Sequence, residues 1–135
     1  MNKSEFLSDI AKKYSPQIEY VAFEAARDGG FGEARRSRND LEKYYIHIDK
    51  NRLICSYQIL YVFFHEIGHI VNFHLGYKYF NKKYSKEDKE NEASIWAFKE
   101  MGMIDNMGNI KEEKKACHEC MAKLCDKCLR GFKVL

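Results

Sequence analysis

Apolar residues along the chain fall into blocks separated by glycine, proline or charge. In the first, Phe6, Leu7, Ile10, Ala11 and Tyr14 recur at the spacing of one helix face. That predicts a helix over 4–14, with Ser4 as its cap and Pro16 at its end. Residues 17–26, QIEYVAFEAA, fit two periods. Ile18, Val21, Ala22 and Ala25 make a helical stripe, while the short aromatic run suits a strand. Gly29, Gly30 and Gly32 then mark a loop or tight turn. In EKYYIHID, residues 42–49, Tyr44, Ile46 and Ile48 alternate with Tyr45, His47 and Asp49, a strand signature. Asp49, Lys50 and Asn51 read as a turn. Leu53, Ile54 and Cys55 begin a short return strand or lead straight into a helix.

Ser56 is placed to cap a long helix over 57–75. Its apolar residues, among them Ile59, Leu60, Phe63, Phe64, Ile67 and Ile70, lie on nearly every side, so it should be central and buried. Gly76 can stop it, and a polar, aromatic connector follows over 77–84. Ser85-Lys86-Glu87-Asp88 is a capping box that opens another helix, running to about Met101 with Gly102 as terminator. No internal repeat is visible.

Composition narrows the class. The 135 residues are 45% hydrophobic and 32% charged, a globular profile long enough for one core. The 23 basic and 20 acidic residues leave a net charge of +3, weak support for direct nucleic-acid binding. No 18-residue apolar run spans a membrane, and residues 1–14 lack the apolar run of a signal peptide, so a cytoplasmic location is expected. Arg35, Arg36, Arg38 and Lys43 cluster upstream of the predicted strand. A solvated loop is the plainer account of them, ahead of a contact for a polar substrate or nucleic acid.

The chemistry concentrates in FFHEIGHIVNFH, residues 63–74. His65-Glu66-Ile67-Gly68-His69 is H-E-x-x-H. On a helix, positions i and i+4 stack on one face, so both imidazoles can reach one metal ion. Glu66, about 100° around the helix from His65, sits beside such an ion without ligating it. There it can take a proton from bound water. Ordinary core histidines with hydrogen bonds are the competing account, but the apolar helix around the motif makes unpartnered burial costly.

A catalytic zinc needs a third protein ligand and an open position. His74 lies nine residues after His65, about 180° around a continuing helix. No glycine or proline between 70 and 73 breaks the helix, so His74 is expected to face solvent or end the helix. The capped helix offers Glu90 and Glu92, about 200° apart. Glu90 aligns with Ala93 and Ala97, Glu92 with Trp96. Periodicity favours Glu90 only slightly, and both sit in a charge run where solvated glutamates are ordinary.

Two segments together resemble the small zinc metallopeptidases of the ImmA/IrrE type. VFFHEIGHIVNFH is similar to the family's H-E-[LIF]-G-H segment, and ENEASIWAFKEM, residues 90–101, to its E-x-E-A-[ND]-x-F-A motif. Trp96 stands for the usual phenylalanine, Ser94 for the usual Asn or Asp, and the motif's closing proline is absent. The resemblance covers roughly residues 40–101. It implies His65, His69 and Glu90 as zinc ligands, Glu66 as catalytic base and Ser94 as an orienting residue. It also implies an endopeptidase acting on a protein, with DNA-binding repressors of phages and mobile elements as the substrate class. An oxyanion donor is expected, with His47, Tyr45 or a tyrosine of 77–84 as candidates, and a strand edge beside the cleft can pair with an extended peptide.

The tail CHECMAKLCDKC, residues 117–128, is C-x2-C-x4-C-x2-C. Cys117, Cys120, Cys125 and Cys128 holding a second, structural zinc is placed first. An amphipathic helix follows, then redox chemistry, and an iron–sulfur cluster is a lesser metal alternative. The expected architecture is α+β: a minimal HExxH zinc-peptidase fold over residues 1–105, with a small antiparallel sheet and a central motif helix, then a cysteine-rich appendage over 106–135. The rival function is a non-enzymatic regulatory module that binds protein or DNA.

Overall fold

The computed structural model describes residues 2–27, 29–53, 56–75 and 85–102. The cysteine tail, the 77–84 connector and the proposed boundary at 105/106 lie outside the described residues. Among those described, the elements are α1 (Lys3–Tyr14), β1 (Ile18–Ala22), β2 (Gly32–Arg36), β3 (Tyr44–Ile48), a 3-10 turn (Lys50–Arg52), α2 (Ser56–Val71) and α3 (Lys86–Glu100).

Helix α1 follows the predicted stripe, burying Leu7, Ile10 and Ala11. Its cap is Asn2, whose side chain accepts from the Glu5 amide at 2.8 Å. Ser4, expected there, instead donates its hydroxyl to the Val21 carbonyl of β1. Ser8 Oγ accepts from the Val21 amide at 2.8 Å. These two serines satisfy the outer edge of β1 at Val21, so α1 covers that side of the sheet.

Residues 18–22 are a strand, and the helical stripe there has a specific origin. The register with β3 shifts between Ile18 and Tyr20. A bulge of this kind inserts one residue and lets Ile18 and Val21, three apart, face the same core. Both are essentially fully buried.

The sheet has the order β1-β3-β2. It is mixed rather than antiparallel: β2 and β3 are antiparallel, but β1 and β3 run parallel. The most buried strand, YYIHI, takes the centre, where Ile46 and Ile48 are fully buried. The chain reaches that arrangement by leaving a gap between β1 and β2 that β3 then fills. Of the basic cluster expected as a loop, Arg35 and Arg36 belong to the edge strand β2, GEARR, while Arg38 and Lys43 lie in the connection that follows it. The strand's lack of apolar alternation hid it, because only Ala34 meets the core from the middle of the strand.

Helix α2 is the core of the molecule. Ile59, Leu60, Phe63, Phe64 and Ile67 are fully buried, packed among α1, the sheet and α3. The Ser85 capping box forms as predicted, with Asp88 reciprocating. Helix α3 lies against α2 because Gly68 faces Ala93. A Cβ on Gly68 would stand 3.0 Å from the Ala93 carbonyl oxygen and 3.1 Å from its Cα. Tyr14 ties α1 to α3, donating to Glu100 Oε2 at 2.9 Å and packing edge-on against Trp96.

Helix α2 ends at Val71, earlier than its apolar pattern suggests. Phe73 adopts φ 61°. The His74 amide donates to the His69 carbonyl (2.9 Å) and the Phe73 amide to that of Ile70 (3.1 Å). This pair of bonds is a Schellman stop, built here without the usual glycine.

Candidate metal centre

His65 and His69 project from successive turns of α2 toward Glu90 on the first turns of α3. His65 Nε2 lies 2.8 Å from Glu90 Oε2 and 3.1 Å from His69 Nε2, and His69 Nε2 lies 3.3 Å from Glu90 Oε1. Ligand atoms about 2.0–2.1 Å from a tetrahedral zinc stand about 3.3 Å from one another, so these separations are those of a zinc site. The close approach of Gly68 to Ala93 is what brings α3 near enough for Glu90 to reach both rings.

The outer nitrogens support the same conclusion. Ser94 Oγ lies 3.2 Å from His65 Nδ1 and accepts from the Tyr61 hydroxyl at 2.9 Å. His69 Nδ1 lies 2.8 Å from His74 Nδ1, and His74 Nε2 lies 3.6 Å from Glu92 Oε1. We assign the proton of both ligand rings to Nδ1 from these contacts. Each Nε2 then presents a lone pair inward, facing the other and a carboxylate. Three electron-pair donors converging at about 3 Å call for a cation. Both rings are shielded, with side-chain exposures of 14% and 12%, while Glu90 is half exposed. Burial, with His65 adding to it, lowers the His69 pKa to about 4, so the ring is neutral and ready to ligate at physiological pH.

His74 corrects the sequence reading in part. It stands at the helix end, one of the two expected places, but it does not face solvent: it is 6% exposed and packed on His69. The Schellman stop folds it back. That motif places the second residue beyond the helix cap against the residue five earlier, and His69 and His74 are five apart. This spacing was the available signal. His74 remains outside the ligand set, since it meets His69 on the ring nitrogen turned away from the site. Its Nε2 makes no hydrogen bond, and Glu92 Oε1 stands 3.6 Å away, just beyond hydrogen-bond reach. Burial also lowers the pKa of His74.

Ser94 reaches His65 directly, despite being shorter than the residue usual in the resembling motif. Glu66, 7% exposed, lines the same cleft as His69 and Glu90. Gly32 closes over it: a Cβ there would meet Val62 Cγ1 at 2.5 Å and lie 3.6 Å from Glu66 Cγ. Strand β2 is thereby brought alongside the motif helix.

Of the expected oxyanion donors, Tyr45 lines the cleft. His47 does not. It sits on the central strand, 3.3 Å from both Glu33 and Glu24, on the sheet face opposite the core. Strand β2 supplies most of the strand residues that border the cleft, and Tyr45 is the contribution of β3. The four tail cysteines lie outside the described residues, where His65, His69 and Glu90 are the metal-capable group. No helix among the described residues is long and apolar enough to cross a membrane.

No protein-family model, curated protein or solved structure matches this chain. The functional conclusion therefore rests on the geometry. An H-E-x-x-H helix with a glutamate from the next helix closing the triad is a zinc-metallopeptidase-like site.

Proposed function

We propose that the protein is a zinc-dependent endopeptidase of the ImmA/IrrE type, acting on a protein substrate, with a DNA-binding repressor as the class that resemblance suggests. The observation that carries the hydrolase reading is the convergence of His65 Nε2, His69 Nε2 and the Glu90 carboxylate, beside Glu66, at the floor of an open cleft. His65, His69 and Glu90 would hold a zinc ion, which would supply Lewis acidity for the scissile carbonyl and for the attacking water.

The chain's own residues supply the rest. Glu66 accepts a proton from the attacking water and returns one to the leaving amine. His74 and Ser94 hold the two ligand rings at their Nδ1 atoms. The outer edge of β2, with no strand paired to it among the described residues, offers backbone groups to an extended peptide running past the site. The tail cysteines Cys117, Cys120, Cys125 and Cys128 are proposed to bind a second, structural zinc.

Glu66→Gln is the decisive variant. It should keep about one equivalent of zinc at the helical site while peptide hydrolysis falls by at least about a hundredfold. Undiminished hydrolysis removes Glu66 as base. Full zinc loading with no turnover of any peptide by the wild type assigns the site to a binding role instead.

A further inference from the structure

We propose that the cleft selects an acidic stretch of polypeptide, a specificity that rests on the peptidase reading above. The cleft measures about 840 Å³, and six cationic side chains line it: Arg27, Arg35, Arg36, Arg38, Lys86 and Lys89. They come from three separate parts of the chain, the loop after β1, the edge strand β2 with its exit, and the first turns of α3. A fold that gathers cations from three segments around one opening focuses its field there. The weak net charge of the whole chain conceals this concentration.

Three carboxylates also line the cleft, and each has a local task. Glu33 is buried and paired with Arg35 at 2.5 Å. Glu90 belongs to the metal triad, and Glu66 is the proposed base. Among the described residues, Arg27, Arg38, Lys86 and Lys89 form no ion pair. The lysines occupy the first turns of α3, where the helix dipole disfavours cations, so helix stability does not account for them. Their charge is available to a ligand lying over Glu90.

The ligand the cleft fits is a peptide rather than a nucleic acid. Single-stranded nucleic-acid sites pair cations with exposed aromatic platforms. The aromatic residue lining this cleft among the described residues, Tyr45, is 7% exposed and already stacked on Tyr20. An extended chain along the edge of β2 would place its side chains between the arginines of β2 and the lysines of α3. Glutamate and aspartate on either side of the scissile bond complement that lining.

The test uses the full chain loaded with zinc. A randomised peptide library is digested and the products are sequenced by mass spectrometry. Aspartate and glutamate should be enriched beside the cleaved bond by roughly tenfold over lysine and arginine, and cleavage should slow markedly from about 50 to about 300 mM salt. The triple variant Arg38→Glu, Lys86→Glu, Lys89→Glu should shift the enrichment to basic residues. Cleavage with no acidic enrichment, or a triple variant with the wild-type preference, overturns the proposal.

A binding arm separates this failure from that of the peptidase reading. Zinc-loaded Glu66→Gln protein is titrated by fluorescence anisotropy with labelled peptides of alternating Asp and Glu, of Gly and Gln, and of Lys and Gly, and with a single-stranded DNA of equal length. Roughly tenfold tighter binding of the acidic peptide than of every other probe sustains the cleft's selectivity even if no peptide is ever cut. Equal binding of the peptides, or tighter binding of the DNA, overturns it.

Discussion

His74 is the residue whose task the tertiary structure defines most sharply. Its Nδ1 accepts the His69 Nδ1 proton across 2.8 Å, which fixes the tautomer that leaves His69 Nε2 free for metal. Replacing it with leucine should weaken zinc binding by about 10–100-fold in chelator competition. His74→Gln, whose carbonyl can accept the same proton, should recover most of that loss. If leucine and glutamine weaken zinc equally, His74 only fills space. The cobalt-substituted protein gives a second readout, since a loosened His69 alters the ligand-field absorption and a merely packed neighbour does not. At the same scale Glu66 stands apart, because its replacement should spare metal and remove turnover.

Two elements owe their fit to single backbone positions. Helices α2 and α3 meet at Gly68, which leaves no room for a methyl group against the Ala93 backbone. Gly68→Ala must push α3 outward or shift α2. The expected cost is about 1–3 kcal/mol in urea unfolding. Zinc affinity should drop with it, because Glu90 travels with α3. A variant that keeps both stability and affinity would show that the helices separate freely. The end of α2 poses the opposite case. Phe73 holds φ 61° with its side chain 80% exposed, so its ring contributes little and its backbone is strained. Phe73→Gly should raise stability by about 0.5–1 kcal/mol despite glycine's entropy, since glycine is the preferred residue at this helix stop. A loss of stability would mean that the exposed ring makes contacts that matter.

For the whole molecule, the metal centre couples stability to pH. His69 has its pKa lowered to about 4 from an ordinary 6.5, and that of His74 is lowered too. Between those values the unfolded chain binds protons that the folded protein refuses. Metal-free protein should therefore lose stability as pH falls from about 6.5 toward 4, by on the order of 2 kcal/mol for His69 alone. Urea midpoints across that range test the sign. A flat profile would place His69 in a wetter setting than the structure gives it. Added zinc should raise the midpoint most at neutral pH, where it does not compete with protons for the imidazoles.

The sequence by itself determined the parts that are local. An i, i+4 histidine pair on an apolar helix, a glutamate beside it and a capping box at Ser85 are each written within one turn of chain, and helical geometry converts them directly into positions. The alternation of YYIHI likewise marked the central strand. What only the tertiary structure decided depends on contacts between distant segments. Strand β2 exists because β3 pairs with it, not because GEARR favours a strand, and the bulge in β1 disguised that strand's period as a helical one. Glu90 and Glu92 looked nearly alike in the sequence; the packing of Gly68 on Ala93 sends the first to His65 and His69 and the second toward His74. The stretch FFHEIGHIVNFH read as two ligands, a base and a third histidine with no assigned task. A left-handed residue that no composition rule announces turned the chain at Phe73 and placed that histidine behind His69.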